Sequence, residues 1–239
     1  MTETSVQLQP AYILQHRNYR ETSLILDVLT RDYGRISLLA KGVRNARSRT
    51  LGLLQPFVSL TVSYVGRADL KNLTSVESVR VGPGLTGLAL YCGFYLNELV
   101  VHFLHKFDPH PELFDHYCEC LAQLAGGKTM EAALRRFEYH LLAQTGYGLQ
   151  LEHDFVSQRP VDPLKQYRFD VEQGPTEADE GRFSGKTFQA IKNGIFDEPA
   201  LLSEAKLLMR TVLDSHLQGK PIKSRSVINT LIKQTKHEQ

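Results

Sequence analysis

Between Lys41 and Thr50 the chain reads KGVRNARSRT, four basic residues and no acid. Lys41, Arg44, Arg47 and Arg49 are spaced to follow a phosphate backbone, and each neutralised phosphate releases counterions, which drives binding at low salt. A polyanion is the ligand this chemistry suits. The same tract also reads as a solvated basic loop, because Lys/Arg-rich runs have several unrelated uses. Arg35, Arg67 and Lys71 add cations nearby in sequence. All would touch phosphates, giving binding that is nearly independent of base sequence and steeply dependent on salt. Tyr19, Tyr33, Phe57 and Tyr64 are the rings available for base stacking. Strand alternation buries one face, so Phe57 and Tyr64 read better as core than as platform.

Two further clusters carry charge. Arg135 and Arg136 lie on a helical run with Glu131 four residues before Arg135, which suits a surface ion pair. The same two residues also suit an Arg fork that captures a carboxylate-bearing peptide beside an apolar groove. Lys220, Lys223 and Arg225 surround Pro221. They extend a phosphate track, or form a solvated loop whose charge favours the end of the preceding helix.

Catalytic signatures are missing. No GxxxxGK[ST], HExxH or GxSxG occurs, and Ser184-Gly185-Lys186-Thr187 lacks the upstream glycine of a phosphate loop. His102 and His105 are three apart with no carboxylate at ligand spacing, which favours ordinary histidines over a metal site. Acids do not cluster in the first third, which weakens a two-metal nuclease resting on an isolated Asp27 or Asp69. The chain reads as a binding protein without catalytic residues, metal or cofactor.

These residues must be positioned by two kinds of structure. Ala11–Tyr19, Thr22–Thr30, Arg35–Lys41, Phe57–Val65 and Leu70–Val79 are β-rich runs, the fourth alternating almost strictly. Asp32-Tyr33-Gly34 and Gly66-Arg67 supply turns. Leu73, Val76 and Val79 are placed to face inward. Five short strands in about eighty residues fit a small closed barrel such as an OB-fold, with an SH3-like barrel as competitor. The basic tract is then a mobile arm between the third and fourth strands.

After Gly82-Pro83-Gly84 the period turns helical. Leu88 to Phe103, Leu113 to Leu124 and Met130 to Gln144 each carry an apolar face, the third with Thr129 as N-cap and Gly146 as stop. Leu151 to Gly185 is irregular, with one strand at Gln166–Val171. Helix returns at Lys186–Asn193 and Pro199–Leu217, and Ser224 caps a last helix. The organisation is α+β: a barrel over residues 1–81, then an all-α domain over 82–239 with an irregular insertion at 151–185.

The charge follows the same division. Residues 1–80 hold 11 Lys/Arg against 6 Asp/Glu, residues 81–150 hold 4 against 7, and the remainder balances at 13 against 13. A polyanion-facing module joined to something neutral is the implication. Cys92, Cys118 and Cys120 are too few for a disulfide scaffold, and Cys118 and Cys120 point to different helix faces. The N-terminus has no basic and apolar signal pattern, and Leu85–Phe107 is broken by Asn97, Glu98 and two histidines. A reduced cytoplasmic protein with no membrane span is expected.

Three blocks resemble the RecO family of bacterial recombination mediators. They are ETSLILDVLTRDYGRISLLAKGVRNARSR at Glu21–Arg49 with LLQPF at Leu53–Phe57, LYCGFYLNEL at Leu90–Leu99, and ALRRFEYHLLAQTGYG at Ala133–Gly148. GKPIKSR at Gly219–Arg225 adds a shorter match, so the resemblance spans essentially the whole chain. It implies an N-terminal five-stranded OB-fold and a C-terminal helical domain. It implies binding of single- and double-stranded DNA and annealing of complementary strands. RecR, single-strand-binding protein (SSB) and RecA recombinase are the implied partners, with loading of RecA onto SSB-coated DNA as the outcome. Arg135 and Arg136 would then take the acidic SSB tail, and the protein would work in the bacterial cytoplasm at the nucleoid. Many relatives carry a four-cysteine zinc site in the irregular segment. Leu151–Gly185 has no cysteine, so the chain resembles the zinc-free branch, with Phe155, Tyr167, Phe169 and Phe183 packing in place of metal. An OB-containing RNA-binding or ribosome-associated factor remains the rival reading.

Overall fold

A computed structural model describes residues 5–45, 48, 50–80 and 84–237. The chain forms two compact units, one holding the residues up to Ala125 and those from Ile222 onward, the other Gly126–Pro221.

The first unit is built on β1 (Ser5–Tyr19), β2 (Ser23–Thr30), β3 (Gly34–Ala40), β4 (Ser59–Val65) and β5 (Leu70–Arg80). They close into a barrel in the order β1-β2-β3-β5-β4, with β1 pairing β4 to complete the ring. Only β3 and β5 run parallel. This is the expected five-stranded OB-type barrel followed by helices, and closure removes the open edges of its sheet.

Alternation decides what lies inside. Leu24 faces Ala40, Leu26 faces Leu38 and Val28 faces Ile36 across the β2–β3 ladder, and all six are buried. Leu60, Val62 and Tyr64 of β4 join them, as Tyr64 was expected to. Burying each large aliphatic side chain here contributes about 1.5–3 kcal/mol. β5 keeps the pattern only in part. Leu73 and Val76 pack on the core, but Val79 is 56% exposed rather than inward. Register shifts beside Ser59 and Ser63 break the alternation of that ladder.

Gly34 is required by its surroundings. It opens β3 at φ +67°, and a Cβ there would lie 2.1 Å from Asp108 O. The segment after the first helix therefore lies directly on the barrel: Phe107 N donates to Arg35 O at 3.0 Å, and Lys106 bridges Arg35. Phe57, buried as expected, sits at φ +68° with its ring 5.2 Å from that of Phe94, where Gly93 leaves room.

Three helices complete this unit: α1 (Gly87–Phe103), α2 (Pro111–Gly126) and α6 (Lys223–His237). Asn97 Nδ2 donates to Leu14 O at 2.7 Å and Asn97 Oδ1 accepts from Tyr117 Oη at 2.6 Å, a buried relay joining β1, α1 and α2. Ser224 does not cap α6 by itself. Its N–H and hydroxyl both donate to Glu98 Oε2 of α1, at 3.2 and 3.0 Å.

The second unit holds α3 (Met130–Gln144), α4 (Gly185–Asn193) and α5 (Pro199–His216). Thr129 stands at the N-cap of α3, but its hydroxyl makes no capping bond. The segment expected to be irregular with one strand is a three-stranded sheet instead. Its strands are β6 (Gln166–Asp170), β7 (Gly174–Glu177) and β8 (Phe183–Ser184), in the order β7-β6-β8. Strands this short fall below what sequence alternation can reveal. Tyr167, Phe169 and Phe183 do pack together, but their fourth partner is Phe188 of α4, while Phe155 is 43% exposed.

Candidate nucleic-acid interface

The β1–β2 hairpin turn and the end of β3 meet at one pole of the barrel. Tyr19 pairs with Ser23 and Leu24 with Ala40, so the register brings Lys41 beside the turn. Arg44 N donates to Thr22 O at 2.9 Å, and its Nη1 to Arg20 O at 3.3 Å. Lys41, Arg44 and Arg20 are exposed there, against the single acid Glu21. The Arg20 guanidinium lies 5.3 Å from the centroid of Tyr19. Arg47 and Arg49 lie outside the described residues. The start of the basic tract is not the free arm expected: it turns back through Asn45 N to Gly42 O, and Val43 enters the barrel core at 7% exposed. An apolar residue between cations at this spacing plugs the barrel end while the cations stay wet.

The other barrel cations do not join this pole. β3 and β5 run parallel with Ser37 level with Leu70, so Lys41 lies four residues, about 13 Å, further along. Arg67 is exposed in the turn before Leu70, at the opposite end. Lys71 is 9% exposed, with Nζ donating to Gly66 O and Ala68 O and lying 5.2 Å from the Phe107 ring. Arg35 is committed too: Nε donates to Asp27 Oδ1 at 3.0 Å and Nη1 to the carbonyls of Val101 and Leu104. For Arg35 and Lys71 the phosphate role gives way to internal bonding, because satisfied half-buried cations cost energy to extract.

Three cations escape the sequence reading. Arg17, Arg20 and Lys106 are all exposed. Arg17 sits opposite Ile25 on the outer face of β1–β2, and Lys106 Nζ donates to Ser37 Oγ at 2.8 Å. QHRNYR shows no clean alternation, and Lys106 is more than sixty residues from β3 in sequence. Strand register and the close approach at Gly34 bring Arg17 and Lys106 to this face, and the β1–β2 turn carries Arg20 to the pole.

The α3 arginines differ from each other. Arg135 is 7% exposed and its Nη2 pairs with Glu138 Oε1 at 2.5 Å. Arg135 Nε, also buried, has no acceptor. Glu131 does not pair with it as expected, but with Lys206 Nζ at 3.0 Å, because α3 turns Arg135 inward and Glu131 outward. Arg136 is half-buried, and its Nη1 donates to Gly194 O at 2.9 Å, at the end of α4. Lys220 is exposed and belongs to the second unit. Lys223 and Arg225 open α6 in the first, with Arg225 packed 5.6 Å from the Tyr95 ring.

Among the described residues no three of His, Cys, Asp or Glu are grouped to hold a metal, and no helix is long and apolar enough to cross a membrane. His105 lies beyond the end of α1, so it does not share a helix with His102.

Two family models match this chain: recombination protein O N terminal over residues 2–81, and recombination protein O C terminal over residues 85–226. Curated proteins named DNA repair protein RecO are similar along nearly the whole length. The one from Nitrosococcus oceani is 44% identical over 231 residues, covering 95% of this chain and 94% of that protein. The one from Methylococcus capsulatus is 44% identical over 227 residues, covering 94% of each. That from Aromatoleum aromaticum is 39% identical, covering 95% of this chain and 96% of that protein.

Proposed function

The chain belongs to the RecO family of DNA repair proteins, and from that premise we propose that it is a recombination mediator working without covalent chemistry. It binds single- and double-stranded DNA, anneals complementary strands and, with RecR, helps load RecA onto SSB-coated DNA. The work is done in the cytoplasm at the nucleoid, by a barrel domain over residues 1–81 and a helical domain over 82–239.

The observation that carries this reading is the pole of the barrel where Lys41, Arg44 and Arg20 stand together around Tyr19. Three cations and a half-buried ring offer phosphate contact and a stacking surface, the two elements of sequence-tolerant single-strand binding. Arg47 and Arg49 continue the charge in sequence. Holding two strands on one basic surface lowers their mutual repulsion and raises their effective concentration, which promotes annealing. Arg67, Lys220, Lys223 and Arg225 would serve as outlying phosphate contacts.

The acidic SSB tail would dock at Arg135 and Arg136. The Nε of Arg135 is a donor without an acceptor, and a peptide carboxylate reaching it would supply one. Arg136→Ala tests this better than Arg135→Ala, which would also break the buried ion pair with Glu138.

The deciding experiment is anisotropy binding of labelled single-stranded DNA in competition with RNA, together with a labelled SSB C-terminal peptide. DNA preferred over RNA, with peptide binding weakened in Arg136→Ala, supports the mediator. RNA preferred, with no peptide binding, favours an RNA-binding factor.

A further inference from the structure

We propose that the outer face of β1–β3 holds a subsite for one unstacked nucleotide, with Arg17 and Lys106 on a backbone phosphate and Ile25 beneath the base. The proposal rests on the reading of the barrel as a DNA-binding element and names where on it a single strand is gripped.

A groove of about 300 Å³ opens on this face, lined by Gln15, Arg17, Ile25, Asp27, Ser37 and Lys106 with the neighbouring His16 and Leu26. The register explains the lining. Gln15, Asp27 and Ser37 stand abreast on three adjacent strands, and Arg17, Ile25 and Leu39 form the next outward row. Rows two residues apart are separated by about 7 Å, and each spans about 10 Å across three strands. That footprint suits one nucleotide turned out of its strand. A duplex keeps its bases stacked inside and has none to offer without being opened.

The charges in the groove are arranged for an anion. Asp27, its one acid, is neutralised from below by Arg35 Nε at 3.0 Å and takes a further bond from Gln15 Nε2 at 3.2 Å. What remains uncompensated at the mouth is Arg17 and Lys106. An ammonium has three donors, and Ser37 Oγ takes one of those on Lys106, leaving two for phosphate oxygens. Arg17 presents a planar fork of the geometry phosphate accepts bidentately. Between them Ile25 is half-buried, an apolar surface on which any base can lie. Two residues beyond Leu39, just past the end of β3, is Lys41, so a DNA strand leaving the groove runs onto the basic pole.

Lys106 makes the site composite. It lies outside the barrel strands and reaches Ser37 only because Gly34 lets residues 106–108 lie flat on β3.

Anisotropy titrations of a labelled oligothymidine and of a duplex of equal length, across a salt series, test the proposal. Arg17→Ala and Lys106→Ala alter exposed side chains and should fold. Each is expected to weaken oligothymidine binding several-fold and to flatten the salt dependence, the two together by about 0.7 in log–log slope, one phosphate's worth on a single strand. Duplex binding should stay near wild type, and Ile25→Glu should repeat the single-strand defect by placing an anion in the groove. Single-strand binding at wild-type strength in all three variants overturns the subsite, as does equal loss on both DNA forms. If single strands bind normally to these variants but fail with Lys41→Ala/Arg44→Ala, the barrel reading stands and only the subsite falls. Absence of wild-type binding at low salt overturns both.

Discussion

Arg35 Nε donates to Asp27 Oδ1 at 3.0 Å across the β2–β3 ladder, and both side chains are only 14% exposed. The same guanidinium donates to Leu104 O at 3.0 Å, so one side chain joins the barrel wall to the end of α1. Removing it takes the counter-charge from a half-buried carboxylate that keeps only Gln15 Nε2, and takes this donor from two carbonyls. Arg35→Ala is therefore expected to destabilise the chain by about 3 kcal/mol, at the low end for a broken buried pair because some solvent reaches it. Urea unfolding measures this. Arg35→Lys should recover little, since an ammonium cannot span all three acceptors. Full stability in Arg35→Ala, with a reduced salt slope of DNA binding, would return Arg35 to the phosphate contacts.

Arg135 and Glu138 form a pair buried on one turn of α3, 7% and 0% exposed. Taking away one member breaks a buried ion pair, at a cost of about 3–5 kcal/mol. Arg135→Ala and Glu138→Ala should each be destabilised by that amount in denaturant titrations. The double variant Arg135→Leu/Glu138→Leu should be close to wild type in stability, because a well-packed apolar pair avoids the desolvation of both charges. If Arg135 instead serves only the SSB tail, the single variants will unfold like wild type and lose peptide binding alone.

The barrel was legible because its signal is local. Leu24, Leu26 and Val28 alternate with outward residues, and so do Leu60, Val62 and Tyr64, so β2 and β4 follow from a period of two, and β1 and β5 only from their β-rich composition and flanking turns. Helices α1 to α5 were legible from their apolar faces and their Gly and Pro boundaries. The candidate site was legible only where charge is contiguous in sequence, as at Lys41 and Arg44. Arg35 and Lys71 carry the same charge but point at Leu104 O and Gly66 O, partners supplied by tertiary packing. Lys106 is the converse, isolated in sequence and brought to β3 by a close approach at Gly34. Charge is a property of residues; whether it is free is a property of the fold.

Asp154, in the cysteine-free segment 151–185, ties a loop to the small sheet. Its Oδ1 accepts from Ser157 N and its Oδ2 from Glu177 N, both at 2.6 Å, tying the loop before β6 to the end of β7. Burial pushes this carboxyl up, but the backbone donors outweigh it and hold it below its ordinary 3.8. A lowered folded pKa means that the stabilisation is complete above 3.8 and is lost as pH falls through the lowered value. The difference in unfolding free energy between wild type and Asp154→Asn should be constant at neutral pH and shrink below that point. Asp154→Ala should cost about 1–3 kcal/mol at pH 7, two part-buried N–H groups losing their acceptor. A wild-type-minus-variant difference that does not change with pH would show that the carboxylate's charge is irrelevant to the stitch.

Glu98 holds the start of α6, where Lys223 places a positive charge at the helix end that least favours one. Its carboxylate accepts from both the N–H and the hydroxyl of Ser224, satisfying an otherwise unbonded donor of the first turn and offsetting the lysine. Glu98→Ala removes both effects and should weaken α6 by about 1–2 kcal/mol, the range of a lost N-cap. Glu98→Gln keeps an acceptor and loses the charge, so it should fall between, and Ser224→Ala should cost least because the N–H bond survives. Amide exchange in the intact chain reads this directly: α6 amides should exchange faster in the order Ser224→Ala, Glu98→Gln, Glu98→Ala, while those of β2 and β3 stay at wild-type rates. Equal acceleration in the barrel strands would mean that Glu98 supports the whole first unit, and the local capping role would be wrong.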